Sequence, residues 1–175
     1  MTPENAPGAS RLQAQALLEL GRTQFNSRNY LMALEHFDRA LQTDPTFTRA
    51  LVAKAHALKM LGKPEETLRV CDEIIAREPE YATAHSTRGS ALQALGRTAE
   101  ARTSYERAVT LAPGDALALY NFACFWALER DPEKCRDYLA RAIALEPGRN
   151  VRAAIDPDFA RYREEPWFQE LTAFK

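Results

Sequence analysis

The chain has 175 residues, 46% hydrophobic and 27% charged, with 23 basic side chains against 24 acidic ones. A chain of this length buries roughly 70% of its unfolded surface, enough to fold without disulfides or a structural metal. The balanced charge excludes the basic excess of a nucleic-acid binder, and no apolar run approaches the roughly 18 residues of a membrane span.

The three cysteines, Cys71, Cys124 and Cys135, contain no CxxC pair. The chain does not open on a basic segment followed by an apolar run, so no signal peptide is read. Free thiols and no leader predict a reducing, cytoplasmic setting.

In chain order, residues 1–10, "MTPENAPGAS", read as a disordered polar tail ending in a helix N-cap at Ser10. From residue 11 onward the apolar spacing is three and four, the period of a helix face. Leu17, Leu20 and Gly21 mark a first helix, and Leu34, Phe37, Ala40 and Leu41 a second, with the polar turn "NSRN" between them. The pattern then repeats, with turns at "GKPE", "GRTA" and "RDPE". Pro45, Pro79, Pro113 and Pro147 recur every 34 residues, each ending a second helix because proline cannot continue the hydrogen-bond ladder. Other columns keep the same register: Ala40, Ile74, Ala108 and Ala142; Phe37, Cys71, Tyr105 and Leu139; Gly21, Ala55, Gly89 and Ala123. A single helical hairpin cannot bury its own apolar face, and stacked hairpins can.

The stretches "LLELGRTQFNSRNYLMALEHFDRALQTDP" and "HSTRGSALQALGRTAEARTSYERAVTLAP" carry a resemblance to the tetratricopeptide repeat (TPR) family. The resemblance implies an all-α, right-handed α-solenoid of four hairpins at 14–47, 48–81, 82–115 and 116–149, within a repeat domain spanning 11–149. The family's bulky first-helix aromatic is replaced by Leu17, Leu51, His85 and Leu119, and the second repeat departs furthest, with Thr67, Cys71 and Ile74 in its second-helix columns. The segment 150–175 breaks the period and resembles an ending of bacterial TPR proteins, with DPDF and PWF landmarks. It reads as a helical cap in which Phe159, Tyr162, Trp167, Phe168, Leu171 and Phe174 cover the last hairpin, Pro157 and Pro166 opening new turns. The competing destination for this segment is the concave groove, as a plug.

Chemistry is sparse. His36, His56 and His85 lack the spacing of a metal-binding helix, no glycine-rich phosphate loop is present, and no nucleophile–base arrangement is legible. No catalytic, cofactor or metal site is therefore expected. Glu35 with Arg39 and Glu73 with Arg77 read as i, i+4 pairs on a solvated face.

In the family the first helices line a peptide-binding groove. Projected onto this chain, the groove takes Gln15, Leu18, Arg22, Phe25 and Asn26 from the first repeat, and Arg49, Val52, His56 and Lys59 from the second. The third gives Thr83, Ser86, Ser90 and Gln93, and the fourth Leu117, Tyr120, Cys124 and Leu128. The N-terminal half is then basic through Arg22, Arg49 and Lys59, with Glu19 at its margin, and the C-terminal half apolar. A protein partner, a peptide or helix with an acidic part and an apolar part, fits that gradient. The carboxylate clamp of the family's co-chaperones is missing, because its positions hold Leu18, Arg22, Ala53, Thr83 and Thr87. Cys124 shares the groove column of Arg22, His56 and Ser90, so it is expected to be labelled by a thiol reagent while Cys135 resists.

These readings predict a non-catalytic adaptor or scaffold that binds a peptide or partner helix. A dedicated assembly or secretion chaperone is one alternative, and a self-assembling homo-oligomeric scaffold is another.

Overall fold

The computed structural model describes residues 7–173. Eight helices form four antiparallel hairpins: α1 (Pro7–Asn26) with α2 (Tyr30–Thr43), α3 (Thr48–Met60) with α4 (Pro64–Arg77), α5 (Ala82–Ala94) with α6 (Thr98–Leu111), and α7 (Ala116–Leu128) with α8 (Pro132–Leu145). They are followed by α9 (Arg149–Ile155), a 3₁₀ turn (Pro157–Tyr162) and α10 (Pro166–Thr172). The all-α solenoid expected from the 34-residue period is thus the fold observed.

One boundary moves. Helix α1 already begins at Pro7, so Ser10 lies inside it and is not its N-cap. A proline can open a helix because the first-turn N–H it lacks would have no partner there. Residues 1–6 of the expected tail lie outside the described residues.

The hairpin turns share one backbone device. Asn29, Lys63, Arg97 and Asp131 donate their backbone N–H to the carbonyls of Gln24, Leu58, Leu92 and Trp126 at 2.9, 3.0, 2.9 and 3.0 Å. The residue before each donor, Arg28, Gly62, Gly96 or Arg130, takes positive φ between 62° and 71°. This left-handed C-terminal closure recaptures orphan carbonyls, and glycine adopts it most cheaply. Two repeats use glycine; the other two hold arginine in the same conformation. The next helix starts on a proline at Pro64 and Pro132, while Asp131 caps α8 through the Lys134 N–H at 3.0 Å.

Within a hairpin, the glycine and aromatic columns meet. A Cβ on Gly21 would overlap the Phe37 ring, and one on Gly89 would fall 2.9 Å from Tyr105. The even repeats place Ala55 with Cys71 and Ala123 with Leu139 in those columns, pairing a larger first-helix residue with a smaller second-helix one.

Between hairpins, Ala50, Ala84 and Ala118 are fully buried, whereas Ala16, one period earlier, is exposed because no hairpin precedes it in the fold. Asp38 and Asp72 of second helices reach Lys54 and Arg88 of the following first helices at 2.6 and 2.7 Å, again one period apart. Of the two i, i+4 pairs read from the sequence, Glu73–Arg77 closes at 2.5 Å. Glu35 and Arg39 form no ion pair among the described residues.

The C-terminal segment packs as three short pieces on the last hairpin. Phe159 and Phe168 are buried, their rings 5.7 Å apart, and Phe159 meets the Tyr120 ring edge-on at 5.6 Å. Pro157 and Pro166 open the 3₁₀ turn and α10. Phe174, expected in this cap, lies outside the described residues.

Candidate functional site

The first helices α1, α3, α5 and α7 line the concave side, and four columns reach it at different depths. The column Leu18, Val52, Ser86, Tyr120 runs along the seam between neighbouring first helices. Three of its members are buried, Leu18 at 1%, Ser86 at 5% and Tyr120 at 2% exposure. Leu18 and Ser86, expected as partner contacts, instead build the wall beneath the groove, while Tyr120 still lines a hollow of it. A helical period fixes a side chain's azimuth but not its depth, and the stack closes over this column. The columns of Arg22, Gln15 and Asn26 remain open at least in part: Arg22, Asn26 and Arg49 are exposed, and Gln15, His56 and Ser90 half-buried.

Two hollows divide the groove. The first, about 510 Å³, takes its walls from α1 and α3 and includes Arg22, Phe25, Asn26, Arg49, Val52 and His56. Arg22 is engaged by Glu19 at 3.4 Å, while Arg49 forms no ion pair among the described residues. Burial, then the nearby Lys59 charge, lowers the His56 pKa below its ordinary value, so a neutral imidazole faces this hollow.

The second hollow, about 410 Å³, includes Lys59, Ser90, Tyr105, Tyr120 and Cys124, together with Arg152, Asp156 and Asp158 from the C-terminal segment. Lys59, expected with the basic N-terminal half, points here: Nζ donates to Ser90 Oγ at 3.2 Å. By area it is exposed, yet protein surrounds its ammonium closely enough to lower its pKa, with desolvation the main cause. The Tyr105 hydroxyl lies 3.0 Å from both Ser90 Oγ and Gln93 Oε1.

The C-terminal half, where Leu117 and Leu128 are exposed, also receives polar groups from the C-terminal segment. The Tyr120 hydroxyl donates to Asp156 Oδ2 at 2.8 Å, and the Asp158 backbone N–H donates to Asp156 Oδ1 at 3.1 Å. The Cys124 sulfur lies beside the Asp158 carboxylate, their ligand atoms within 4.8 Å. No sequence column could supply Arg152, Asp156 and Asp158, because they lie beyond the last repeat. The DPDF landmark is the signal that was present, and it marks the turn that enters the groove.

Cys124 also changes role. It is buried, as are Cys71 and Cys135. Desolvation, then Asp156 and Asp158, pushes its thiol far above the ordinary range, while burial raises Cys71 and Cys135 to about 12. Its expected selective labelling is not supported, since the attacking species is the thiolate. Cys124 Sγ and the carboxylates of Asp156 and Asp158 offer ligand atoms within 4.8 Å of one another. Both oxygens of Asp156 are already engaged, by the Tyr120 hydroxyl and the Asp158 backbone N–H.

A stack of helical hairpins with a preformed concave groove defines a solenoid repeat protein. The chain matches the family described as "Psidin, N-terminal TPR repeats region" over residues 12–147. It belongs to the tetratricopeptide repeat family. It is 29% identical to "Protein STIP1 homolog" of Dictyostelium discoideum over 170 residues, 94% of this chain and 28% of that protein. It is 32% identical to "DnaJ homolog subfamily C member 7 homolog" of Schizosaccharomyces pombe over 100 residues, 55% of this chain and 21% of the relative. The chain thus spans less than a third of the length of these curated relatives.

Among solved structures, a thermophilic TPR protein of Thermus thermophilus superposes with a TM-score of 0.79 at 25% identity, covering 90% of this chain and 86% of that one. The first TPR domain of Spaghetti (RPAP3), bound to the HSP90 peptide SRMEEVD, superposes with a TM-score of 0.60 at 26% identity, covering 76% and 94%. Among the described residues, no helix is long and apolar enough to cross a membrane.

Proposed function

We propose that this chain is a non-catalytic adaptor whose concave groove binds an extended or helical segment of a protein partner, with acidic side chains of that partner seated in the first hollow. The observation that carries the reading is the first hollow itself. It is preformed between α1 and α3, apolar through Phe25 and Val52, and edged by Arg49, which no carboxylate among the described residues neutralises. Such a surface steers an acidic segment and then buries its apolar neighbours. A preformed groove also spares the protein the cost of ordering itself on binding. The acidic peptide held by the RPAP3 domain is in keeping with this chemistry. The grip here is of another kind, because the clamp positions Leu18 and Thr87 are buried and Ala53 carries no polar group. A cytoplasmic location belongs to the same reading.

Self-assembly through the first hairpin is the weaker reading. In the second repeat the columns of Gln13, Thr23 and Gln24 hold Phe47, Ala57 and Leu58, all buried. Polar replacements at a terminal hairpin keep it from stacking on another copy.

The test is a titration of a captured protein partner, shown by cross-linking to touch α1 or α3, against wild type and Arg49→Glu. Reversal is expected to weaken binding about tenfold while the melting temperature holds. Equal affinity for the two proteins refutes the reading.

A further inference from the structure

The second hollow holds more free donors than free acceptors. Lys59 Nζ spends one of its three N–H donors on Ser90. Arg152, on α9, lies with its guanidinium carbon 5.6 Å from the Tyr120 ring centroid and faces the same space. Neither cation forms an ion pair among the described residues. Of the hollow's own carboxylates, Asp156 has one oxygen on the Tyr120 hydroxyl and the other on the Asp158 N–H, and Asp158 lies beside the Cys124 sulfur, their ligand atoms within 4.8 Å. Both cations line this one hollow, and the Lys59 pKa is lowered chiefly by desolvation, with Arg152 adding to the lowering and Asp158 opposing it. Two like charges lining one concave space, with unspent donors, are relieved by an incoming anion.

We infer that Lys59 and Arg152 form a second anchor in the groove, completed by the C-terminal segment, that receives one aspartate or glutamate side chain of the partner. The inference rests on the groove reading above and deepens it. The partner then carries two acidic anchor points, one for each hollow, in place of an acidic end and an apolar end. The segment after the last repeat is part of the binding surface as well as a cover for α7 and α8. A carboxylate suits the hollow better than a phosphate. Asp156 and Asp158 stand close by, and they repel a phosphate, with its charge near −2, about twice as strongly as a single negative charge.

The test uses the full chain and an array of twelve-residue peptides in which glutamates are placed at varied positions in an alanine–leucine background. The tightest peptide is labelled with fluorescein and titrated against wild type, Arg49→Glu, Lys59→Gln and Arg152→Gln. Melting curves confirm that each variant folds. Each glutamate of the peptide is then changed to glutamine in turn. We expect one glutamate whose replacement weakens binding to wild type about five- to tenfold but has less than a twofold effect on Arg152→Gln or Lys59→Gln. A second glutamate keeps its effect on those two variants and loses it on Arg49→Glu. If Arg49→Glu abolishes binding while Lys59→Gln and Arg152→Gln bind as wild type does, the second anchor is overturned and the groove reading stands. If no peptide binds, or none of the three substitutions matters, both are overturned. Tighter binding when phosphoserine replaces the responsive glutamate overturns the assignment to a carboxylate.

Discussion

Gly21 shows what a single position does in this fold. Its missing Cβ is the space that the Phe37 ring occupies. Alanine is the better helix former by about 1 kcal/mol, yet overpacking a core costs roughly 1–3 kcal/mol, so the steric cost outweighs the propensity gain. Gly21→Ala is expected to destabilise the chain by about 1 kcal/mol in wild type and to stabilise it in a Phe37→Leu background, where the ring is gone. Chemical denaturation of the four proteins of this cycle reads the change of sign, and the same sign in both backgrounds refutes the contact. His56 gives a pH-dependent counterpart. Its folded pKa is lowered from the ordinary 6.5 by burial and then by Lys59. The unfolded chain therefore binds the proton more readily, and stability falls as pH drops below 6.5 toward the lowered folded value. The melting temperature of His56→Gln should be less sensitive to pH in that window than that of wild type. Parallel pH profiles of the two proteins would rule out a contribution from this imidazole.

Among the elements, the hairpins were legible in the sequence and the C-terminal segment only in part. The helical spacing, the turn motifs and the prolines at Pro45, Pro79, Pro113 and Pro147 all repeat, so each copy corroborates the others. Depth within the stack does not repeat, which is why Leu18 and Ser86 read as groove contacts and proved to be walls. The 3₁₀ turn Pro157–Tyr162 exists once, and one copy carries no register. Its aromatics announced a cap, and the DPDF landmark alone pointed to the turn that carries Asp156 and Asp158 into the groove beside Cys124. Truncation after Ile155 tests that placement. Loss of the buried Phe159, Tyr162 and Phe168 is expected to lower stability on the order of 5 kcal/mol, at roughly 1.5–3 kcal/mol for each buried side chain. In the full chain all three thiols should resist a maleimide in native buffer. In the truncated chain Cys124 should react first, while Cys71, buried between α3 and α4, stays protected. Mass spectrometry after timed labelling assigns the sites. Equal reactivity of Cys124 in the two chains would show that the turn does not cover it.

At the scale of the whole molecule, the two ends of the stack are finished differently. The C-terminal end is covered by added structure, with Phe168 of α10 in the core cluster that also holds Leu139 and Ala142 of α8. The N-terminal end is finished by composition: Thr23 and Gln24 stand where the inner repeats carry buried apolar residues. Leu12 and Leu20 remain exposed on α1, and Leu31 and Met32 on α2, but polar neighbours interrupt them. Among the described residues the exposed apolar side chains at the two ends, Leu12 and Leu20 at one and Val151 and Ile155 at the other, are scattered among polar ones, and such a stack has little to gain from adding a second copy. The described chain is therefore expected to keep the mass of a monomer in light scattering across a concentration series. Giving α1 the inner-repeat residues, as Thr23→Ala with Gln24→Leu, restores the apolar stacking face beside Leu20. That variant should associate face to face about a two-fold axis, because the covered C-terminal end cannot receive the new face head to tail. A wild-type chain whose mass doubles with concentration would mean that the first hairpin is an interface, and it would revive the homo-oligomeric scaffold over the single-chain adaptor.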